Sequence, residues 1–355
     1  MTDLSSLPLE ILVNIALQMT IPEVLAFCNL SKRINRKVGR RRYFWKLLLA
    51  KENLDIPPDL IYKGEKFNWL LYFLIKYPEK QWDWFNLSKN PNITWEIIQA
   101  YPDKPWNWHS LSCNPNITWE IIQKYPDKKW RWEALSVNPN ITEEIVKNNF
   151  DQPWYISALS WNSNITWNFI QANLDKNWHW VGLSENPNIT WEIIQNNLDK
   201  YWYWAEISRN PNITWEIVRA NSDKPWDWES LSANLNITWE IIQNNLDKPW
   251  NWQSLSCNPN ITSEIVQAYS NKSWSWYDLA RNPNITLEII RANNKTPWLW
   301  NILSISSNIS WENILSNPDK PWNWSMLSLN SCITWETIFN NLDKPWDWYK
   351  LSNKK

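Results

Sequence analysis

A unit of 24 residues recurs twelve times, without insertion or deletion, from about residue 67 to the end of this 355-residue chain. Its register is marked by the isoleucine of an Asn-Pro-Asn-Ile-Thr-Trp-Glu-Ile-Ile block, at Ile93, Ile117, Ile141, Ile165, Ile189, Ile213, Ile237, Ile261, Ile285, Ile309 and Ile333. An uninterrupted short period lets every unit pack on its neighbours in the same way. The sequence therefore predicts a solenoid with one continuous core, a scaffold for contact rather than a pocket for chemistry.

Each unit carries two signals for the start of a helix. In one of them Thr94 is a good N-cap, Glu96 lies in the first turn, and Pro102 ends the helix. Half a repeat earlier, Asp83 fills the capping slot of a second helix within a Trp-x-Trp sequence. The same slot holds a small polar residue at Asn107, Asp227, Asn251, Ser275, Asn323 and Asp347. The pattern predicts an all-α solenoid of short helix pairs.

The 34 tryptophans are predicted to form the core of these units. Helices of two turns cannot persist alone, so a large side chain at each inward position must supply the buried area. A tryptophan that buries on the order of 200 Å² contributes several kcal/mol at roughly 25 cal/mol per Å². The alternative is a set of stacking platforms for single-stranded nucleic acid or sugars, and the lack of a basic groove argues against the nucleic acid.

Charge and hydropathy limit the classes of partner. The formal net charge is -1 and charges of both signs are mixed along the chain, which argues against a nucleic-acid or anionic-membrane partner. No apolar run approaches the roughly 20 residues that span a bilayer. The chain opens with Thr2-Asp3-Leu4-Ser5, unlike the basic and apolar regions of a signal peptide. We expect a soluble, cytoplasmic protein that binds neither nucleic acid nor membrane.

Nothing in the sequence indicates an enzyme. The cysteines are scattered, with no close pair for zinc or redox chemistry, at Cys28, Cys113, Cys257 and Cys332. Three glycines cannot supply a phosphate-binding loop. His109 and His179 have no Ser, Cys or acidic partner that recurs beside them. We expect no catalytic residue, no metal site and no cofactor.

The first 50 residues lie outside the repeat and predict three short helices. Leu7-Pro8-Leu9-Glu10-Ile11-Leu12 opens the first, Ile21-Pro22-Glu23-Val24-Leu25 opens the second, and Cys28-Asn29-Leu30-Ser31-Lys32-Arg33 leads toward Trp45. This stretch resembles an F-box, whose hallmarks are an initial Leu-Pro-x-Glu-Ile/Leu-Leu, a central Leu, a Cys-Lys/Arg segment and a late Trp. We predict an F-box-like domain at 1–50, a linker at 51–66 and the helical repeat solenoid at 67–355.

The F-box resemblance implies a role in ubiquitin conjugation. An F-box docks on the small adaptor subunit of a cullin–RING (SCF-type) ubiquitin ligase, and the attached repeats hold a protein substrate. The resemblance implies a docking face made of Leu7, Pro8, Ile11, Leu12, Ile15 and Leu25, in a monomer that joins a hetero-complex. F-box chains with repeat arrays are also familiar in large DNA viruses, which implies a host–virus interaction. Two alternatives stay open: the N-terminal helices only cap the solenoid, or the array tethers two proteins without ubiquitin transfer.

The repeat unit has a resemblance of its own. The block Asn114-Pro115-Asn116-Ile117-Thr118-Trp119-Glu120-Ile121-Ile122 is similar to the 24-residue unit of leucine-rich repeat variant proteins, a solenoid of alternating α and tight helices. The Trp-x-Trp element departs from that family. The likeness therefore concerns architecture and leaves the partner undefined.

Variation between the units predicts where a substrate binds. In four successive repeats the capping slot holds no small polar residue but instead Arg131, Tyr155, His179 and Tyr203. Nearby variable slots hold Trp161, Glu185 and Arg209. These residue types are enriched at interface hot spots. The alternative is drift, because a cap is worth only about 1 kcal/mol.

Overall fold

The computed structural model describes residues 4, 7–30, 32–39, 42–63, 66–293, 299–306 and 308–354. The chain divides into two compact units, which we number by chain order. Unit 1 comprises Met1–Trp106 and Thr334–Lys355, and unit 2 comprises Asn107–Ile333. Short helices dominate both units, so the predicted all-α repeat architecture is confirmed.

Unit 1 opens with helices that enclose a small apolar core. Its elements before the repeats are α1 (Leu9–Leu17), α2 (Ile21–Asn29), α3 (Lys32–Ile34), a π-helical turn (Asn35–Gly39), α4 (Arg42–Lys51), α5 (Pro58–Ile61), β1 (Tyr62–Lys63) and β2 (Lys66–Phe67). A capping box starts α2, because a carboxylate oxygen of Glu23 accepts from the backbone N–H of Thr20 at 2.7 Å. The hydrogen bonds from Thr20 also lower the pKa of Glu23. Leu12, Val24 and Phe44 are buried between these helices.

The π-helical turn is held by Trp45, whose indole N–H donates to the carbonyl of Gly39 at 2.6 Å. A Cβ on Gly39 would lie 2.5 Å from Oδ1 of Asn35 and 3.0 Å from Sγ of Cys28, so a larger residue here would displace one of these side chains. Cys28 is buried beside Gly39, and burial raises the pKa of its thiol to about 11. This cluster is packing for the helices rather than a reactive centre.

The segment 51–66 is more ordered than the predicted linker. It contains α5 and part of an antiparallel hairpin in which Tyr62 pairs with Phe67. Ile56 and Ile61 are buried, and the ring of Tyr62 stacks on that of Trp45 at 4.7 Å. Apolar side chains in this stretch therefore join the core, which a composition-based linker prediction does not register.

The remaining elements are the short helices of the array. Those of unit 1 are α6 (Trp69–Lys76), α7 (Trp84–Lys89), α8 (Trp95–Ala100), α28 (Trp335–Phe339) and α29 (Trp348–Leu351). Those of unit 2 are α9 (Trp108–Ser112), α10 (Trp119–Lys124), α11 (Trp132–Ser136), α12 (Glu143–Asn148), α13 (Ile156–Leu159), α14 (Trp167–Ala172), α15 (Trp180–Glu185), α16 (Trp191–Gln195), α17 (Trp204–Arg209), α18 (Trp215–Ala220), α19 (Trp228–Ala233), α20 (Trp239–Gln243), α21 (Trp252–Leu255), α22 (Ser263–Ala268), α23 (Trp276–Arg281), α24 (Leu287–Asn293), α25 (Leu299–Ile305), α26 (Trp311–Leu315) and α27 (Trp324–Leu329).

Both predicted kinds of cap occur. The side chain of Asn107 accepts from the backbone N–H of Ser110 at 2.9 Å, and Asp227 does the same for Ser230 at 2.7 Å. Threonine caps are weaker: Thr142 accepts from the backbone N–H of Ile145 at 3.3 Å, whereas Thr94, the cap predicted from the sequence, and Thr118 make no side-chain cap bond. These bonds satisfy N–H groups that a helix of one or two turns leaves unpaired.

The first tryptophan of Trp-x-Trp is buried in most units, as predicted, and the second is half-buried. The buried indole also makes a specific polar contact. In Trp106 the indole N–H donates to the carbonyl of Tyr101 at 2.9 Å, and Trp178 bonds Asn173 in the same way at 2.8 Å. This bond ties the turn between two helices to the core. A tryptophan can make the bond and a phenylalanine cannot.

Neighbouring 24-residue repeats are joined by hydrogen bonds of serine and asparagine side chains. Nδ2 of Asn186 donates to the carbonyls of Ser160 and Asn162 in the unit before it, at 3.0 and 3.2 Å, while its Oδ1 accepts from Asn188 within its own turn. Oγ of Ser160 accepts from the backbone N–H of His179 at 2.9 Å. Buried hydrogen bonds between repeats, rather than a ligand site, therefore explain why the Asn-Pro-Asn sequence recurs from one repeat to the next.

The two ends of the array pack on each other within unit 1. The backbone N–H of Asp83 donates to Oγ of Ser352, and Nδ2 of Asn90 donates to the carbonyls of Ser352 and Lys354. Trp348 meets Trp82 edge to face at 5.2 Å. Ser352 and Lys354 are buried in this contact.

Candidate functional site

The four predicted capping-slot residues of unit 2 are exposed. Arg131, Tyr155, His179 and Tyr203 each precede a short helix, and none of these side chains makes a cap hydrogen bond. Helices α11, α13, α15 and α17 thus begin without the bond that Asn107 or Asp227 supplies elsewhere. Each of these four helices therefore lacks a side-chain cap, which is worth about 1 kcal/mol.

The serine hydrogen bonds between repeats bring the variable slots of successive units together. Oγ of Ser136 accepts from the backbone N–H of Tyr155 at 3.0 Å, and Oγ of Ser184 accepts from that of Tyr203 at 3.0 Å. The residue that follows each serine therefore lies beside the capping slot of the next repeat, as Val137 lies beside Tyr155 and Glu185 beside Tyr203. The resulting exposed series, which we call the variable row, is Arg131, Val137, Tyr155, Trp161, His179, Glu185, Tyr203 and Arg209. It contains every residue predicted to bind the substrate.

An aromatic pair lies at the centre of the variable row. The ring of Trp161 lies over that of His179 with centroids 4.6 Å apart and planes inclined by 33°. Trp161 remains 43% exposed, so one side of its indole is open. A Cβ on Gly182 would lie 2.7 Å from Cδ2 of Trp161, so the ring rests directly on the helix backbone.

Sequence reasoning missed Gly182 as part of this site. A signal was present, because it is one of three glycines in the chain and lies inside a predicted helix, where glycine is unfavourable by about 1 kcal/mol. The same slot of the two preceding units holds alanine, at Ala134 and Ala158. The residues that face those alanines, by equivalence with Trp161, are the smaller Cys113 and Val137.

The charges of the variable row are sparse. Arg131 and Arg209 lie toward its two ends and make no ion pair among the described residues. Glu185 is exposed between them, and no lysine occurs in the row. The surface is therefore largely aromatic with isolated charges of both signs.

The predicted adaptor-facing residues lie at the start of unit 1 and differ in exposure. Ile11 is 46% exposed, Pro8 is exposed, and Leu7, Ile15 and Leu25 are half-buried. Leu12 is fully buried in the core, so including it in an accessible face was wrong. Because Ile11 and Ile15 are four residues apart in α1, they lie on one face while Leu12 and Ala16 face inward.

Two exposed apolar residues of unit 1 were missed. Leu30 is 66% exposed and Tyr43 is 70% exposed. Neither belongs to a helical periodicity that sequence inspection would single out. Only the structure shows that they remain uncovered.

The described residues contain no group of three His, Cys, Asp or Glu residues that could hold a metal ion. No helix in the described part of the chain is long and apolar enough to cross a membrane. An open cleft of about 440 Å³ in unit 2 is lined by Trp119, Trp130, Trp132 and Gln152 among others, without an acid–base pair.

Comparison of the chain with family models, curated proteins and solved structures finds no match.

Proposed function

We propose that this chain is the substrate-recognition subunit of a cullin–RING (SCF-type) ubiquitin ligase. Its N-terminal helices dock on the adaptor subunit, and its repeat array holds a protein substrate through the variable row. The proposal takes the resemblance of residues 7–45 to an F-box as its starting point. The observation that carries it is the uncovered apolar face of α1.

That face is unusual for a helix whose only task is to close an array. Pro8, which directly precedes α1, and Ile11 within α1 are exposed, while Leu12 and Ala16 fill the core. Exposed apolar residues that lie together on a surface mark protein interaction sites. An adaptor protein with a complementary apolar groove would bury these side chains.

The second role of the proposal rests on the composition of the variable row. Tyr155, Trp161 and Tyr203 are exposed, and their residue types dominate protein–protein hot spots. The sparse charge and the lack of lysine favour a protein partner over a nucleic acid. The host–virus setting and a cytoplasmic location belong to the same proposal.

A second function is favoured by a separate observation in unit 1. The N-terminal helices are tied to the first repeat, because Nζ of Lys76 donates to the Glu52 carboxylate at 3.0 Å and the hydroxyl of Tyr101 donates to the carbonyl of Asp55. Burial raises the pKa of this tyrosine to about 12. Such contacts are what a structural cap needs, so the chain could be a binding scaffold without any role in ubiquitin transfer.

Co-purification of the full chain with the recombinant adaptor subunit and cullin decides between the two functions. The ligase proposal expects a stoichiometric complex that the variant Leu7→Ala/Pro8→Ala loses. The scaffold expects no complex with either chain. A folded variant that still binds the adaptor normally would remove these residues from the docking face.

A further inference from the structure

Gly182 and Trp161 lie in neighbouring repeats of unit 2 and are in direct contact. The indole lies on the backbone of Gly182, and a Cβ there would meet Cδ2 and Cε2 at 2.7 and 2.8 Å. Contacts this short force a shift of either the helix or the ring. Glycine therefore keeps Trp161 flat on α15, and the ring lies against His179 in the same position.

The pair does not serve helix stability. Glycine within a helix is about 1 kcal/mol less favourable than alanine, and α15 also begins without a side-chain cap. Two stability losses thus coincide where a large apolar ring stays 43% exposed. Such a combination is expected where a surface is kept for binding.

Unit 2 offers few of the usual ways to hold a peptide. The described strands are the short pair β1–β2 of unit 1, so no sheet edge is available in unit 2 for strand addition. A bound helix needs a concave apolar groove, but no residue of the variable row lines the open cleft of unit 2. Tyr155, Trp161 and Tyr203 are 54, 43 and 51% exposed. Spaced, exposed aromatic rings are instead the surface that receives a polyproline II segment.

The polar atoms of the variable row fit the same occupant. The hydroxyls of Tyr155 and Tyr203 and the indole N–H of Trp161 have no hydrogen-bond partner among the described residues. A polyproline II segment has no internal hydrogen bonds, so its carbonyls are available to these donors. Arg131 and Arg209, both without an ion pair, suit acidic residues on either side of the prolines.

We propose that the variable row binds a proline-rich segment with acidic flanks, and that Gly182 is the positioning residue that holds Trp161 as the platform for one proline ring. The proposal rests on the protein-binding role of the array and adds the class of its ligand. It does not depend on the adaptor, because the N-terminal face takes no part in it.

The test measures binding of the full chain to a fluorescein-labelled peptide that carries two Pro-x-x-Pro units between glutamate pairs. A peptide with every proline replaced by alanine is the control ligand. We expect saturable binding of the first peptide only, weakened at least about tenfold by Trp161→Ala and by Gly182→Ala. Ser230→Ala changes the same helix slot outside the variable row and should leave binding unchanged.

A double variant separates positioning from general destabilisation. In the Trp161→Ala background the added methyl of Gly182→Ala meets no ring, so it should raise the melting temperature and leave the residual peptide affinity unchanged. A further loss of affinity in that background would overturn the positioning role of Gly182. Failure of the unmodified chain to bind the proline-rich peptide, or equal binding of the alanine peptide or of a single-stranded oligonucleotide, would overturn the ligand class.

Adaptor binding measured on the same preparations keeps the two proposals apart. A chain that binds the adaptor but not the peptide retains its ligase role and refutes this inference. A chain that binds the peptide but not the adaptor supports the inference and the scaffold function together.

Discussion

Asp83 and Ser352 are 269 residues apart in the chain and share a hydrogen bond of 2.8 Å, from the backbone N–H of Asp83 to Oγ of Ser352. The same bond joins neighbouring units elsewhere, for instance from Arg131 to Ser112 at 3.0 Å. Asn90 likewise reaches two carbonyls near the C-terminus as Asn138 reaches those of Ser112 and Asn114. The last repeat thus supplies to the first the neighbour that it would otherwise lack.

Replacing Asn90 by alanine should lower the free energy of unfolding by about 1–3 kcal/mol, because two buried carbonyls lose their donor. The matched variant Asn186→Ala removes the same bonds inside unit 2 and should have a similar effect. Asn353→Ala, at an exposed position, is the control. Chemical denaturation measures all three. A loss for Asn186→Ala without one for Asn90→Ala would mean that the end contact adds no stability.

The contrast between the repeats and their ends shows what the sequence could predict. A local pattern that recurs in each repeat predicts the caps at Asn107 and Asp227 and the buried series of isoleucines. The bond between Asp83 and Ser352 joins residues 269 positions apart, and no local residue pattern predicts such a pairing. Burial of Ile56 and Ile61 was missed for a related reason, since local composition does not show which apolar side chains the fold covers.

The candidate site divides in the same way. The repeat alone was enough to find Arg131, Tyr155, His179 and Tyr203, because most other repeats hold a small polar residue at the same slot. Gly182 escaped notice because its significance lies in the ring of Trp161 from the preceding unit. The burial of Leu12 beside exposed Ile11 required three-dimensional packing to recognise.

Ile11→Asp should abolish binding to the adaptor subunit if α1 is the docking face, because a carboxylate buried in an apolar contact is strongly unfavourable. The side chain is 46% exposed, so the melting temperature of the free chain should change little. Ala50→Asp places the same charge at an exposed position of α4 and is the control. Isothermal titration with purified adaptor measures the effect, and normal affinity of Ile11→Asp would favour the scaffold function.

Glu143 should make stability depend on pH in the acid range. It fills a slot that holds tryptophan in the units on either side, and its carboxylate accepts from the backbone N–H and hydroxyl of Thr166 at 2.8 and 2.6 Å. Partial burial acts to raise its pKa, but hydrogen bonds from Lys147 and Thr166 leave the pKa below its usual value of 4.5.

A lowered pKa means that the carboxylate stabilises the fold above the unfolded-state value and loses this contribution as the pH falls through the folded-state value. The stability difference between the unmodified chain and Glu143→Gln should therefore be constant near neutral pH and shrink below about pH 4.5. Glu144→Gln makes the same charge change at an exposed neighbour. Urea unfolding across this pH range measures both, and parallel curves for the two variants would contradict the role of Glu143.

Returning Arg131, Tyr155, His179 and Tyr203 to asparagine should separate recognition from packing. Asn107, Asn251 and Asn323 show the bond that would be restored, an N–H of the first turn donating to the asparagine side chain at 2.9–3.0 Å. Each cap is worth about 1 kcal/mol, so the quadruple variant should melt higher than the unmodified chain while binding its protein partner more weakly. The reverse change, Asn251→Tyr, lies outside the variable row and should lower the melting temperature without affecting binding. Should the quadruple variant melt higher and still hold its partner normally, the contacts lie in the other variable slots, and Trp161, Glu185 and Arg209 are the residues to replace next.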